Sequence, residues 1–147
     1  MKLVDVNVLV YAHREDADRH AEYRSWLETA LDGLEGCAVS ELVLSGCLRI
    51  LTHPRVFNPP SPLPEAMAYI GQLHDHPNMT IVSPGDRHWA IFRDLCERAS
   101  ARGNLVSDAY YAALAMEMGC EWVTTDRDYA RFPGLRWRHP LDTTAGR

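Results

Sequence analysis

The chain has 147 residues, of which 46% are hydrophobic and 24% charged, as in a single soluble globular domain that buries its own core. No run of about 18 apolar residues occurs and the N-terminus does not resemble a signal peptide, so we expect a cytoplasmic protein without a membrane partner. The net charge of −5 argues against a protein that holds nucleic acid by bulk electrostatic attraction.

The basic side chains are almost all arginines, because Lys2 is the only lysine among 15 basic residues. The planar fork of arginine suits both phosphate and carboxylate groups, so composition leaves open which of the two is bound. The four cysteines form no C-x-x-C pair, which argues against a zinc site and favours buried free thiols. They are Cys37, Cys47, Cys96 and Cys120.

The first predicted element is a buried strand that leads into a short helix over 8–13. The apolar, β-branched residues from Leu3 onward fit a strand of a parallel sheet that is covered on both faces. Asp5 interrupts this run and Asn7 follows it. We place Asp5 at the C-terminal end of the strand, where open α/β sheets hold their ligands. A helix N-cap is the structural alternative for both residues.

The rest of the chain alternates predicted helices and strands, which indicates an α/β fold. In chain order, the first half contains a helix from about Asp18, a strand over 37–39, a helix over 41–51 that Ser40 caps, and a helix over 63–74. The second half contains a strand over 79–82, a helix over 86–101 that buries Trp89, a helix from Ser107 or Asp108, a strand over 120–124, a helical turn over 129–132 and an edge strand over 135–137. Together they predict one domain over 1–141, with a central, mostly parallel sheet and helices on both faces, and a flexible tail over 142–147.

Four acidic residues take related positions in this arrangement. Asp5 and Asp126 end strands, whereas Glu41 and Asp108 begin helices. The C-terminal ends of parallel strands and the first turns of the helices that follow them share one edge of the sheet, so Asp5, Glu41 and Asp126 should converge there. The helix of Asp108 precedes a strand, and topology alone does not place Asp108 with the others.

Each first-turn acid also has a purely structural explanation, since a helix dipole favours it by roughly 0.3–1 kcal/mol. A cluster is harder to explain in this way. Carboxylates about 5 Å apart repel by roughly 3 kcal/mol per pair at an effective dielectric constant near 20, so a fold that gathers several of them needs a cation. Oxygen ligands without His or Cys nearby favour Mg²⁺ or Mn²⁺.

Four segments, 5–12, 40–42, 103–109 and 123–129, together resemble the PIN-domain nucleases. More narrowly, they are similar to the VapC toxins of bacterial and archaeal toxin–antitoxin pairs. A lone D-x-N motif is weak, but the ordered set at these separations is specific, and the resemblance spans Met1 to about Leu141. It implies a PIN-like fold in which one acidic pocket holds the metal ion and carries out catalysis. The residues implied for this pocket are Asp5, Glu41, Asp108 and Asp126, with Asp5 and Asp108 as the principal ligands.

By this resemblance the chain is an Mg²⁺- or Mn²⁺-dependent endoribonuclease that leaves a 5′-phosphate and a 3′-hydroxyl. The resemblance also implies a homodimer and a cognate VapB-type antitoxin that blocks the site, often with a basic side chain. The supporting residues that match the family are Asn7, Thr124, Thr125 and Asp128. The arginines expected to hold the RNA backbone are Arg127, Arg131, Arg136 and Arg138.

Two other functions fit parts of the pattern. A PIN-like module could bind RNA or protein without cleaving, and a cleavage assay with and without Mn²⁺ separates this from a nuclease. A haloacid-dehalogenase-like phosphatase also uses an Asp after its first strand. Such enzymes usually need a second acid two residues later, where this chain has Asn7, and a lysine near the site, for which only Lys2 is present.

Overall fold

A parallel sheet of five strands forms the centre of the fold in the computed structural model, which describes residues 1–142. The strands are β1 (Lys2–Val4), β2 (Cys37–Ser40), β3 (Met79–Val82), β4 (Glu121–Val123) and β5 (Trp137–Arg138). Their order across the sheet is β3-β2-β1-β4-β5, so the first strand in sequence is the middle strand in space. All four neighbouring pairs are parallel, which confirms the predicted sheet.

Six helices and one 3₁₀ turn connect these strands within residues 1–142. The helices are α1 (Val6–His13), α2 (His20–Asp32), α3 (Glu41–Leu51), α4 (Leu63–His74), α5 (His88–Arg98) and α6 (Asn104–Met118), and the 3₁₀ turn covers Arg127–Arg131. Helix α1 packs on α2 and α3, α3 packs on α4, and α5 packs on α6. No helix in this part of the chain is both long and apolar enough to cross a lipid bilayer.

Consecutive residues of the central strands are buried, although their side chains point to opposite faces of the sheet. Leu3 and Val4 of β1 and Trp122 and Val123 of β4 are fully buried, so helices cover both faces. Each such side chain contributes roughly 1.5–3 kcal/mol by its removal from water. The cysteines are free thiols, as predicted, and only Cys96 is partly exposed.

The prediction that Trp89 is buried is wrong, since 62% of this residue is exposed. Helix α5 is also shorter than the predicted 86–101. Its buried residues are His88 and Leu95, two turns apart, and Trp89 lies about 100° around the helix from His88. Trp89 therefore points away from the buried stripe, and its ring lies 5.2 Å from that of Phe92 on the same helix, between centroids.

Helix α6 begins at Asn104, several residues before the predicted start at Ser107 or Asp108. Its N-cap is Gly103, which has a positive φ of 59° and no side chain to accept a capping hydrogen bond. The preference for Ser or Asp at helix N-caps therefore pointed to the wrong position. Asp108 is the fifth residue of α6 rather than its cap.

The C-terminal boundary is described only in part. Asp142, the first residue of the predicted tail, accepts hydrogen bonds from the Arg127 guanidinium at 2.9 and 3.3 Å. Residues 143–147 lie outside the described residues.

Candidate active site

Asp5 ends strand β1 and caps helix α1 at the same time, so both interpretations of its position are correct. Its Oδ1 accepts a hydrogen bond from the backbone N–H of Val6 at 2.6 Å, and its own N–H donates to the Val123 carbonyl at 2.9 Å. Its Oδ2 accepts from the hydroxyl of Thr124 at 2.7 Å. Two hydrogen bonds to the carboxylate and one from the backbone therefore fix Asp5 at the C-terminal edge of the sheet.

Thr124 is fully buried and joins Asp5 to the segment that carries Asp126. Its Oγ1 accepts a hydrogen bond from the backbone N–H of Asp126 at 3.0 Å. Asp126 in turn caps the 3₁₀ turn, since its Oδ1 accepts from the N–H of Asp128 at 2.9 Å. A short local network thus sets the path of the chain from the end of β4 into the 3₁₀ turn.

Asp108 reaches the same edge because α6 runs antiparallel to the strand that follows it. A helix that ends where β4 begins has its first turns at the opposite edge of the sheet, where β4 ends. The topological argument that left Asp108 apart was therefore wrong. One oxygen of Asp108 accepts a hydrogen bond from the hydroxyl of Tyr129 at 3.3 Å.

Hydrogen bonds and charge effects place Asp5, Asp108 and Asp126 near one another, and this group of acids is called the pocket below. Burial raises the pKa of Asp5 from 3.8 to about 6, with smaller contributions from the charges of Asp108 and Asp126. The hydrogen bonds from Thr124 and Val6 oppose this shift. Burial and then the charge of Asp126 raise the pKa of Asp108, and the hydrogen bond from Tyr129 opposes that shift. Asp5, Asp108 and Asp126 are therefore close enough to repel one another.

Glu41 begins α3, as predicted, but its carboxylate pairs with a different partner. Ser40 caps the helix by accepting from the Val43 N–H at 3.1 Å. The side chain of Glu41 is 73% exposed, and its Oε2 lies 3.0 Å from Nε2 of His74 at the end of α4. The other ring nitrogen of His74 lies 3.1 Å from Oδ1 of Asp75. The hydrogen bonds to Glu41 and Asp75 raise the pKa of His74, which favours an imidazolium that donates to both carboxylates.

The supporting residues predicted from the sequence differ in whether they lie near the acids. Thr124, and not Thr125, contacts a pocket acid, and Asp128 contributes charge near Asp108. Asn7 is exposed in α1, and within residues 1–142 its side chain forms no hydrogen bond with the acids.

Three of the four arginines expected to bind RNA are engaged elsewhere. Arg127 pairs with Asp142, Arg136 donates to the Gly119 carbonyl at 2.8 Å, and Arg138 lies 3.4 Å from Glu121. Arg131 is exposed.

Sequence reasoning missed Arg49 and two tyrosines near the pocket. Tyr111 stacks on Trp122, and burial and the charges of Asp5 and Asp108 raise its pKa, whereas the charge of Arg49 opposes the shift. Nothing in the sequence separates Arg49 from the other arginines. The second tyrosine is Tyr129, whose nearness to Asp126 in sequence was the one available signal.

The three acids suit a hard divalent cation by their chemistry. No three His, Cys, Asp or Glu side chains within residues 1–142 form a ready-made metal cluster. Mg²⁺ commonly keeps several waters and uses one or two carboxylates with substrate phosphates, so an open group of oxygen donors fits it. A cation would also relieve the repulsion among Asp5, Asp108 and Asp126. Lys2, which a phosphatase site would need, begins β1 at the opposite edge of the sheet.

Comparisons with known proteins identify the family and the fold. Residues 2–135 match the PIN domain family. The chain is 44% identical over 142 residues to VapC ribonuclease Mb2897 of Mycobacterium bovis, covering 97% of each chain, and 40% identical over 140 residues to ribonuclease VapC25 of Mycobacterium tuberculosis, covering 95% and 99%. One chain of the crystal structure of VapBC2 from Rickettsia felis bound to a promoter DNA fragment superposes with a TM-score of 0.68 at 18% identity, covering 93% of this chain and 96% of that one. The predicted PIN-like fold is confirmed, and the chain belongs to the PIN-domain family and, within it, to the VapC ribonucleases.

Proposed function

We propose that this chain is a divalent-metal-dependent endoribonuclease and the toxin of a VapBC-type toxin–antitoxin pair. The observation that supports this most directly is the convergence of Asp5, Asp108 and Asp126 at the C-terminal edge of the sheet. RNA as the substrate follows from membership in the VapC ribonucleases, whose named relatives cover nearly the whole chain.

Asp5, Asp108 and Asp126 are the residues proposed to hold Mg²⁺ or Mn²⁺, with Glu41 as the fourth acid of the pocket. To take this role, the Glu41 side chain has to give up its hydrogen bond with His74. When bound, the cation lowers the pKa of a coordinated water and neutralises charge that develops on the phosphate. The protein supplies fixed carboxylate oxygens, of which those of Asp5 are the most constrained.

The RNA backbone needs basic side chains, because the acids repel phosphate and the whole chain carries a net charge of −5. Arg49 is exposed, and within residues 1–142 its side chain forms no hydrogen bond or ion pair. It also lies one turn beyond Gly46, at which α3 approaches Val6 so closely that a Cβ on Gly46 would meet Val6 Cγ2 at 3.2 Å. Since Val6 follows Asp5, we place Arg49 first among the RNA-binding arginines. Arg127, Arg131, Arg136 and Arg138 remain further candidates.

The partners are proposed from the family and from the charge of the pocket. Within residues 1–142 none of Asp5, Asp108 and Asp126 forms an ion pair with a basic side chain. A VapB-type antitoxin that presents such a side chain would neutralise the pocket and block RNA. A homodimer is proposed on the family resemblance alone.

Controlled expression in a bacterial host tests the proposed function. Wild-type protein should arrest growth and deplete intact RNA, whereas Asp5→Asn should not, at equal levels of soluble protein. Within residues 1–142 the exposed acid Asp94 pairs only with Arg98 on the surface of α5, so Asp94→Asn should arrest growth like the wild type. Robust growth with abundant, soluble wild-type protein would contradict the toxin assignment.

A further inference from the structure

The ring of Tyr129 is held in a single place by the core. Only 2% of this residue is exposed, and its ring lies 5.5 Å from that of Trp122 and 5.8 Å from that of Phe132, between centroids. Tyr129 belongs to the 3₁₀ turn that Asp126 caps, so the network around Asp126 also sets the position of Tyr129. The hydroxyl therefore has little freedom to choose its partner.

That partner is a pocket acid. The hydroxyl donates to Oδ1 of Asp108 at 3.3 Å, and no other hydrogen bond of this hydroxyl occurs within the described part of the chain. Burial and the charges of Asp5 and Asp108 raise the pKa of Tyr129, so the hydroxyl keeps its proton and acts as a donor.

The contact has a parallel on the other side of the pocket. The buried hydroxyl of Thr124 donates to Oδ2 of Asp5 in the same way. In both cases a hydroxyl held by the core binds one carboxylate oxygen and so orients the carboxylate. In Asp108 the other oxygen is left for a different partner, whereas Oδ1 of Asp5 already accepts from the Val6 N–H. Donors of this kind, one step removed from a metal, commonly change metal affinity or activity by 10–100-fold when lost.

We propose that Tyr129 is a positioning residue that orients the carboxylate of Asp108 for metal binding. The proposal rests on the proposed function, since it assigns Asp108 to the metal pocket. The competing interpretation is that Tyr129 only fills the core, in which case a phenylalanine would serve as well.

Tyr129→Phe removes the hydroxyl and keeps the ring. A matched control is Tyr69→Phe, which also removes one tyrosine hydroxyl hydrogen bond, that from Tyr69 to the Leu9 carbonyl at 2.7 Å. For the wild type and both variants, Mn²⁺ affinity is measured by calorimetry, kcat and KM are measured on an RNA substrate, and melting temperatures are measured in chelator and in Mn²⁺. The Mn²⁺-induced rise in melting temperature is taken relative to each variant in chelator, so a loss of stability in the variant itself cancels.

We expect Tyr129→Phe to weaken Mn²⁺ binding by about tenfold, to reduce kcat by a similar factor and to leave KM within about twofold, since Tyr129 is buried and does not reach RNA. Its Mn²⁺-induced rise in melting temperature should shrink, and Tyr69→Phe should behave like the wild type in all three assays. A Tyr129→Phe variant that binds Mn²⁺ and cleaves like the wild type would overturn the proposal, as would an equal loss in Tyr69→Phe. A wild-type protein that neither binds Mn²⁺ nor cleaves RNA would overturn the proposed function itself.

Discussion

The hydroxyl of Thr124 donates a 2.7 Å hydrogen bond to Oδ2 of Asp5, although 119 positions separate the two residues in sequence. The pairing of β1 with β4 brings them together, because Val4 lies opposite Val123 and the next residue on each strand is Asp5 or Thr124. The same oxygen of Thr124 accepts from the N–H of Asp126. One buried hydroxyl thus connects two of the three pocket acids.

Thr124→Val should damage both stability and activity. The variant keeps the shape of the side chain but leaves Oδ2 of Asp5 without its donor and the Asp126 N–H without its acceptor, which should cost roughly 1–3 kcal/mol of unfolding free energy. Cleavage should fall by about tenfold because Asp5 loses its orientation. Urea unfolding and initial cleavage rates measure the two effects. Thr125→Val provides the comparison, and equal effects at both threonines would show that Thr124 has no special role.

The contribution of Asp5 to the stability of the metal-free protein should fall as the pH rises from about 4 to 6. Burial raises the pKa of Asp5 from 3.8 to about 6, so between these values the native state binds more protons than the unfolded chain. The loss attributable to Asp5 is up to about 3 kcal/mol. It should be absent in Asp5→Asn. The measurement is the difference between the urea unfolding free energies of wild type and Asp5→Asn in chelator across this range. A difference that is flat, or that favours the wild type as pH rises, would contradict the assignment.

Asp108→Asn should affect the stability of the metal-free protein and that of the metal-bound protein differently. Because Asp108 lies inside α6 and is not its cap, and because its charge is repelled by Asp126, the metal-free variant should be as stable as the wild type or more stable. Saturating Mn²⁺ should stabilise the wild type by about 2.7 kcal/mol at 100 times the dissociation constant, and most of this gain should disappear in the variant. Melting curves in chelator and in Mn²⁺ measure both effects. An intact Mn²⁺ gain in Asp108→Asn would remove Asp108 from the pocket.

Arg49→Ala should weaken RNA binding more than Arg127→Ala. A charge-assisted hydrogen bond to phosphate contributes roughly 1.5–3 kcal/mol, so loss of Arg49 should raise KM by about tenfold or more. Arg127 must first leave Asp142, which reduces its net contribution to RNA binding. Steady-state kinetics on one RNA substrate compare the two variants. A larger rise in KM for Arg127→Ala would reverse this assignment.

The fold could be predicted from sequence wherever local signals agree. The helices over 41–51 and 63–74 and the strand over 79–82 occur at the predicted positions, because a serine cap or a proline-rich start coincides with the apolar pattern. The N-cap of helix α6 is Gly103, which carries no capping side chain, and Ser107 and Asp108, which favour N-caps, lie after the true start of the helix.

The positions of two of the acids could be predicted from the sequence, whereas the partners of the charged side chains could not. Asp5 and Asp126 follow from the ends of strands, which a periodic pattern locates. The contact between Glu41 and His74 joins residues 33 positions apart and depends on how α3 packs against α4, which no local pattern encodes. For the same reason the partners of the arginines, such as Asp142 for Arg127, could not be read from composition.

The most direct test is the cleavage of a labelled RNA by purified wild-type and Asp5→Asn protein, each in chelator and in Mn²⁺. We expect the wild type to cleave only with Mn²⁺, leaving 5′-phosphate and 3′-hydroxyl ends, and Asp5→Asn to lose nearly all activity while its circular dichroism spectrum stays unchanged. Cleavage by the wild type in chelator, or an Asp5→Asn variant that keeps most of the wild-type rate at saturating Mn²⁺, would contradict a metal-dependent nuclease built on this pocket.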